Sequence, residues 1–313
     1  MIELQNIQEN IGRLRAQKAL YSSAKAWGGF QLVLTVFVVM LISISVLMIN
    51  KGWFVSYFGL SKGDYSWVLS AYGFVIIFFD ALVITPVIDR RKVTAARIQQ
   101  SFDSNVLGLS WNKLFYGVEP NYELIIEWSK KFKGDEVKLL NWYAIRTREL
   151  PIDIRRIVCQ KTNCWWDANI RGRYNKYLYC LGSMMIVVLL TSSLIMDLSM
   201  QGIFLNVLAP IAPFCLFAIK TINLNKQAVS RLEKIIADVD TQWASIASQS
   251  YSDECLRGLS NSIQYCIFLN RKESPLIFDF FYNRSRDDND DTMNRSADEY
   301  VSEYLAVTVE SVT

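Results

Sequence analysis

Residues 30–49 read FQLVLTVFVVMLISISVLMI, twenty residues without a charge. Crossing about 30 Å of hydrocarbon takes roughly 20 such residues in a helix, so the run has the length and character of a membrane span. Three further stretches follow the same logic. Residues 67–88, WVLSAYGFVIIFFDALVITPVI, are broken by one charge, Asp80. Residues 177–196, YLYCLGSMMIVVLLTSSLIM, are uncharged, and the shorter run 203–219, IFLNVLAPIAPFCLFAI, carries Asn206, Pro210 and Pro213. The fold class expected is an all-α membrane protein, with four transmembrane helices paired as two hairpins and a helical cytoplasmic region. A re-entrant fourth segment is the competing reading, but the third span needs a return path to the basic side.

Charge outside the spans sets their direction. Arg13, Arg15, Lys18 and Lys25 precede the first, Arg90-Arg91-Lys92 follows the second, Arg171, Arg173 and Lys176 precede the third, and Lys220 and Lys226 follow the fourth. The short connections are poorer, with Lys51 and Lys62 in one and no Lys or Arg in residues 197–202. Positive residues stay inside, so both termini and the middle block should be cytoplasmic, as a multi-pass protein of the bacterial inner membrane. Trp53, Tyr57, Trp67, Tyr177 and Tyr179 stand where interfacial aromatics belong.

The divisions expected are an amphipathic helix at 1–29, a transmembrane hairpin at 30–88, a basic helical region at 89–176, a second hairpin at 177–220, a helical region at 221–286, and an acidic, mobile tail at 287–313. Residues 89–176 carry 17 Lys or Arg against 10 Asp or Glu, and 221–313 carry 9 against 15. Apolar residues three and four apart at Leu4–Tyr21 and Ile222–Ile246 form either a coiled-coil seam or the buried face of a docked helix. Further helices are expected at 93–107, 135–148 and 152–174, with Pro120 and Pro151 opening new runs and Gly258 and Pro275 breaking the C-terminal region.

Chemistry is scarce. The chain has no His, which removes the commonest general base and most transition-metal sites. None of the six cysteines forms a CxxC, and no phosphate-binding loop, nucleophile elbow or dinucleotide fingerprint occurs. The expectation is a non-enzyme without cofactor or metal. Asp80 near mid-span, with Asn206, Pro210 and Pro213 in the fourth span, is the candidate pore or gate. The densest cationic and aromatic stretch is 151–174, PIDIRRIVCQKTNCWWDANIRGRY. Its Arg155, Arg156, Gln160, Trp165, Trp166 and Arg171 could grip phosphate and stack on bases. The same arginines could equally enforce topology, with the tryptophans packing.

Residues 5–25, QNIQENIGRLRAQKALYSSAK, and 98–112, IQQSFDSNVLGLSWN, resemble segments of the SMODS-associated four-transmembrane effectors of bacteria. Residues 154–174 resemble that family's most distinctive block, here Arg156, Cys159, Gln160, Asn163, Asp167 and Arg171, with Lys161 where Arg is expected. Residues 263–286 resemble its closing segment. The resemblance implies an effector of CBASS-type anti-phage defence. Such a protein answers a cyclic oligonucleotide made by a cognate cGAS-like nucleotidyltransferase and permeabilises the lipid bilayer, causing abortive infection. Its partners would be the bilayer, that nucleotide and further copies of itself as a homo-oligomer, with DNA and RNA not among them. The alternative is a small channel, transporter or scaffold without a nucleotide ligand. Topology is testable directly: a cysteine at Ser199 should react with an impermeant maleimide added to intact cells, and one at Ser285 should not. Labelling of both would overturn the orientation.

Overall fold

A computed structural model of the chain describes residues 2–50, 66–195, 199–204 and 208–310, and these residues are helical with turns. Asn206, Trp53, Tyr57, Lys51 and Lys62 lie outside the described residues. A 3₁₀ turn, Ile2–Asn6, leads into α1 (Gln8–Leu32), which passes through a π turn, Val33–Val38, into α2 (Val39–Asn50). Next come α3 (Ser66–Phe79), a second π turn at Asp80–Ile84, and α4 (Thr85–Leu107). Two short helices, α5 (Lys113–Tyr116) and α6 (Tyr122–Ser129), precede α7 (Ile152–Ile195). The chain ends with α8 (Met200–Ile203), α9 (Ala209–Ala247), α10 (Asp253–Glu273) and α11 (Asp279–Glu310). The chain divides into two compact units.

One unit comprises Ala24–Asp89 and Asn175–Asn223. Two helical runs, Gln8–Val46 and Trp67–Leu107, are long and apolar enough to cross a membrane, and only 11% of each apolar window is buried. That low burial separates them from the core helix of a water-soluble fold, whose apolar face would be covered by protein. Leu82 is 73% exposed and Ile77 66%. The third and fourth spans fall partly outside the described residues. Their described parts are the end of α7 and the start of α9, where Pro213 sits within the helix and only the backbone of Pro210 is described.

The other unit comprises Met1–Ser23, Arg90–Tyr174 and Leu224–Thr313. Its main core joins four helices: Ile154, Ile157 and Cys164 of α7, Leu232, Val239, Trp243 and Ile246 of α9, Ile263 and Ile267 of α10, and Ala297 and Val301 of α11. A second core sets Ile11 and Leu14 of α1 against Phe102 and Val106 of α4, Leu139 and Tyr143. The seam of α9 therefore faces its own unit, the docked-helix reading of the spacing.

Three stretches differ in secondary structure from the sequence expectation. The acidic tail is helical through its described length, with α11 running to Glu310. Asn289, Met293, Ala297, Val301 and Tyr304 recur every three or four residues and are buried, while Asp287, Asp288 and Asp291 occupy the wet side. Composition pointed to disorder, but the phase of the apolar residues makes a helix face. Residues 135–148 are not a helix but two 3₁₀ turns, Val137–Leu139 and Ile145–Glu149, around Asn141 at φ 51°. The backbone there pairs with side chains of the N-terminal turn. The Asn141 N–H donates to Asn6 Oδ1 at 2.9 Å and the Tyr143 N–H to Gln5 Oε1 at 2.8 Å. Gly258 lies inside α10 and breaks nothing; the chain turns at 248–252 instead, before the Ser252 N-cap, whose hydroxyl accepts from the Cys255 N–H.

Ser285 is buried, so the exposed Ser262 is the better inside reporter for topology. Leu232→Asp would drive a carboxylate into the main core. It should destabilise the protein by about 4 kcal/mol, combining a lost apolar side chain with a buried charge. Thermal unfolding in detergent should show a lowered transition with wild-type assembly below it. Loss of assembly without loss of stability would place the α9 seam between subunits.

Candidate functional site

The inward face of α7 carries Arg156, Gln160, Asp167 and Arg171, four or seven residues apart, and the structure uses them at separate places along the helix. At the N-terminal end, Arg156 closes the end of α4. Its Nε donates to the Leu107 carbonyl and its Nη2 to that of Gly108, both at 2.7 Å, and its Nη1 meets Asp153 at 2.6 Å. A helix end leaves carbonyls without partners, and here a guanidinium supplies three donors at once. Arg155 does the same for the preceding turn, donating to the carbonyls of Thr147, Arg148 and Leu150 at 3.1, 2.8 and 2.8 Å. Both arginines thus hold backbone.

Farther along, α7 enters a buried polar network. Gln160 Nε2 donates to the Ser260 carbonyl at 3.0 Å and to Gln264 Oε1 at 2.9 Å, and its Oε1 accepts from Ser260 Oγ at 3.0 Å. Gln264 passes the chain on, donating to Gln100 Oε1 at 2.8 Å and Asp103 Oδ2 at 2.9 Å. Asp103, fully buried, also accepts from the Tyr143 hydroxyl at 2.8 Å and pairs with Arg271 Nη1 at 2.5 Å. Burial works against the charge of Arg271, but Asp103 beside it more than offsets this and raises its pKa above the ordinary value. Burial likewise raises the pKa of the Tyr143 phenol well above its usual range.

Arg171 sits beside this network. Its Nε pairs with Asp167 at 3.0 Å, and its Nη1 donates to Asn225 Oδ1 at 2.9 Å and the Pro275 carbonyl at 3.0 Å. Asn270 Nδ2 donates to the same Asp167 carboxylate at 2.8 Å. Burial raises the pKa of the half-buried Tyr21 phenol, with the guanidiniums of Arg271 and Arg171 opposing and the carboxylates of Asp167 and Asp103 adding to the shift. Three buried polar atoms here have no partner: Arg271 Nη2, Asn225 Nδ2 and Ser274 Oγ. A buried donor without an acceptor costs about 1–3 kcal/mol, so the cluster has donor capacity for an acceptor-rich or anionic group.

Of the other sequence candidates, Trp166 faces α11. Its Nε1 donates to Asp290 at 2.8 Å and its ring lies 5.2 Å from that of Tyr282. Trp165 is half-buried. The six candidates of the 151–174 stretch therefore do not form one pocket: Gln160 belongs to the network and Arg171 to the cluster beside it, while Arg155, Arg156 and Trp166 act elsewhere. Sequence reading missed Gln100, Asp103, Tyr143, Gln264 and Asn270. For those on α4 and α10 the signal was polar residues three or seven apart on the buried helix face (Gln100 with Asp103, Gln264 with Arg271); Tyr143, in the turns before α7, had none.

In the other unit, Asp80 opens the second π turn. Its Oδ1 accepts from Gln31 Nε2 at 2.6 Å and Thr85 Oγ1 at 3.3 Å. The Tyr72 hydroxyl donates to the Leu34 carbonyl inside the first π turn at 2.8 Å. Two helices are thus tied by polar bonds at their π turns, and Gln31 is a partner that the apolar reading of residues 30–49 passes over. π turns of this kind recur at functional sites.

Asp103→Ala should leave Arg271 buried and unpaired. The expected loss is about 3–5 kcal/mol in denaturant unfolding. Pairing it with Arg271→Met should recover part of that loss, and a stable single variant would contradict the network.

The profile of the SMODS-associating 4TM effector domain matches residues 1–300 of this chain. A protein of Bacillus cereus strain VD146 named "Probable CBASS effector molecule" is 26% identical over 299 residues, covering 94% of this chain and 95% of that relative. No solved structure matches the chain.

Proposed function

Because the chain belongs to the SMODS-associating 4TM effector family, we propose that it is the membrane-disrupting effector of a CBASS anti-phage system, switched by a cyclic oligonucleotide. On this reading a cognate nucleotidyltransferase makes the nucleotide, and the protein spans the inner membrane four times as two hairpins. Both termini and residues 89–176 face the cytoplasm. The protein works without catalysis, as a homo-oligomer that opens a path across the bilayer and aborts infection. The Lys and Arg asymmetry supports the orientation. Four helices are too few to enclose a wide aqueous path while shielding their polar groups from lipid, which supports assembly. Asp80, held by Gln31, is the residue for the pore or gate, with Pro213 in the fourth span.

The observation that carries the ligand assignment is the set of buried donors around Arg171 and Arg271. A cyclic oligonucleotide brings one negative charge per phosphate and many acceptors, which is what Arg271 Nη2, Asn225 Nδ2 and Ser274 Oγ lack. On this reading the site lies at the Arg171 end of α7 rather than at Arg155, Arg156 and Trp166, which are engaged by backbone carbonyls, Asp153 and Asp290.

The test exploits the unpartnered state. Ser274→Ala and Asn225→Ala remove Ser274 Oγ and Asn225 Nδ2, two of these atoms, and the second also removes the Asn225 Oδ1 that accepts from Arg171. Each should weaken binding of the cognate nucleotide by about 1 kcal/mol, roughly fivefold, in calorimetric titration. Ser274→Ala should leave thermal stability near wild type. Full affinity in both well-folded variants would remove the ligand from this cluster. No binding of cyclic di- or trinucleotides by the wild-type protein in lipid discs would favour a channel or scaffold without a nucleotide ligand.

A further inference from the structure

The segment 111–134 reads WNKLFYGVEPNYELIIEWSKKFKG and contains α6. Asn121 caps that helix, its Oδ1 accepting from the Leu124 N–H at 3.2 Å. One side of α6 is committed to its own unit, where Ile125 and Trp128 pack with Ala95 and Ile98 of α4. The turn before it is held as well. Arg97 Nε donates to the Tyr116 carbonyl at 3.0 Å and Trp111 Nε1 to the Gly117 carbonyl at 2.9 Å. At about 100° per residue, Glu123, Ile126 and Lys130 fall within an arc of about 60° on the opposite side, with Tyr122 beside them. Tyr122 is 65% exposed and Ile126 54%, and Val118, just before the helix, 79%. A helix fixed on one side with large apolar side chains on the other has a face left to fill.

The order of charge along that face says what fills it. Glu123 stands one turn before Ile126, about 4.5 Å along the axis, and Lys130 one turn after it, about 6 Å. Both are exposed. Among the described residues neither side chain forms a hydrogen bond or an ion pair, whereas Glu127 is already paired with Lys131 at 2.6 Å. Suppose a second α6 is laid antiparallel on the first, Ile126 against Ile126. Each Glu123 then comes within about 1.5 Å, measured along the axis, of the other copy's Lys130. Each Tyr122 ring stands level with the same ammonium, as a cation–π contact requires. A parallel arrangement would instead set Glu123 on Glu123 and Lys130 on Lys130. The face is complementary to itself under a two-fold rotation, which is the condition for an isologous contact. An anionic lipid surface fits it less well, because Glu123 and Glu127 share the outward side with Ile126.

We infer that α6 is a two-fold contact between copies of this chain, centred on Ile126, with Glu123 of each copy paired to Lys130 of the other. The inference rests on the homo-oligomer reading and gives that reading a surface; the nucleotide plays no part in it. Two exposed ion pairs around a small apolar centre make one contact of an assembly, not the whole of it.

The test uses the full chain in inner-membrane vesicles, with Cys180, Cys215, Cys255 and Cys266 changed to serine and Ile126→Cys introduced. A cysteine beside a two-fold axis meets its own copy, so mild oxidation should give a disulfide dimer severalfold faster than it does with Ser262→Cys, exposed on α10. Glu123→Lys or Lys130→Glu added to Ile126→Cys should slow dimer formation by about fivefold, because both pairs of the contact turn repulsive. Two differently tagged chains, one carrying each change, should link to one another near the original rate when co-expressed, because opposite charges again face each other between them. Linking at 126 no faster than at 262 overturns the inference. So do charge-reversed variants that link as fast as their parent, or a mixture that links no faster than either variant alone. Particle mass in lipid discs separates the causes. Several subunits per particle without a link at 126 leave assembly standing and give the face to lipid or another protein. A single chain per particle overturns the homo-oligomer reading as well.

Discussion

A fully buried carboxylate sets the terms on which the helical unit folds. Asp103 has no exposed surface, and its charge is tolerable only where donors replace water. Those donors come from distant stretches: the hydroxyl of Tyr143 from the turns before α7, and Gln264 and Arg271 from α10, more than 160 residues away in sequence. Gln160 and Gln100 extend the same network into α7 and along α4. A misplaced helix would strand a charge, and the cost of that far exceeds the cost of a loose apolar contact. The apolar cores on either side could tolerate many repackings. The Asp103 network tolerates one.

The spans were legible because a bilayer makes a coarse demand, some twenty apolar residues in a row, that composition satisfies visibly. The docked helices were legible in part, because Leu232, Val239, Trp243 and Ile246 keep a helical phase. Residues 135–148 were not, because their backbone partners Gln5 and Asn6 lie some 135 residues upstream and no local pattern announces them. The acidic run misled for a different reason. Four aspartates within five residues dominate composition, while fold depends on what stands at every third or fourth place between them. At the candidate site, sequence identified residue types suited to phosphate but not what each would find nearby. Arg155 and Arg156 met carbonyls first.

That distinction carries into function. A guanidinium whose donors are all bonded to backbone is a fixture, whatever its charge. One that keeps an unpartnered nitrogen in a buried setting, as Arg271 does, retains donor capacity. The same test of satisfaction separates Arg155 and Arg156 from the Arg171 cluster more sharply than charge density does.

The π turns at Val33–Val38 and Asp80–Ile84 have a consequence for how such a chain can change over generations. A π turn holds more residues than the α turn it replaces, and each residue of an α-helix accounts for about 100° of rotation. The helix faces before and after such a turn are therefore out of phase with any single apolar stripe drawn through both. Losing one codon here would not shorten a loop; it would swivel everything downstream. Gln31 lies before the first turn and Ser43 beyond it. A descendant lacking one residue between them could keep the Gln31–Asp80 bond and turn Ser43, now buried, away from its present neighbours. Insertions and deletions, ordinarily confined to loops, here become a means of re-aiming a helix face inside the membrane.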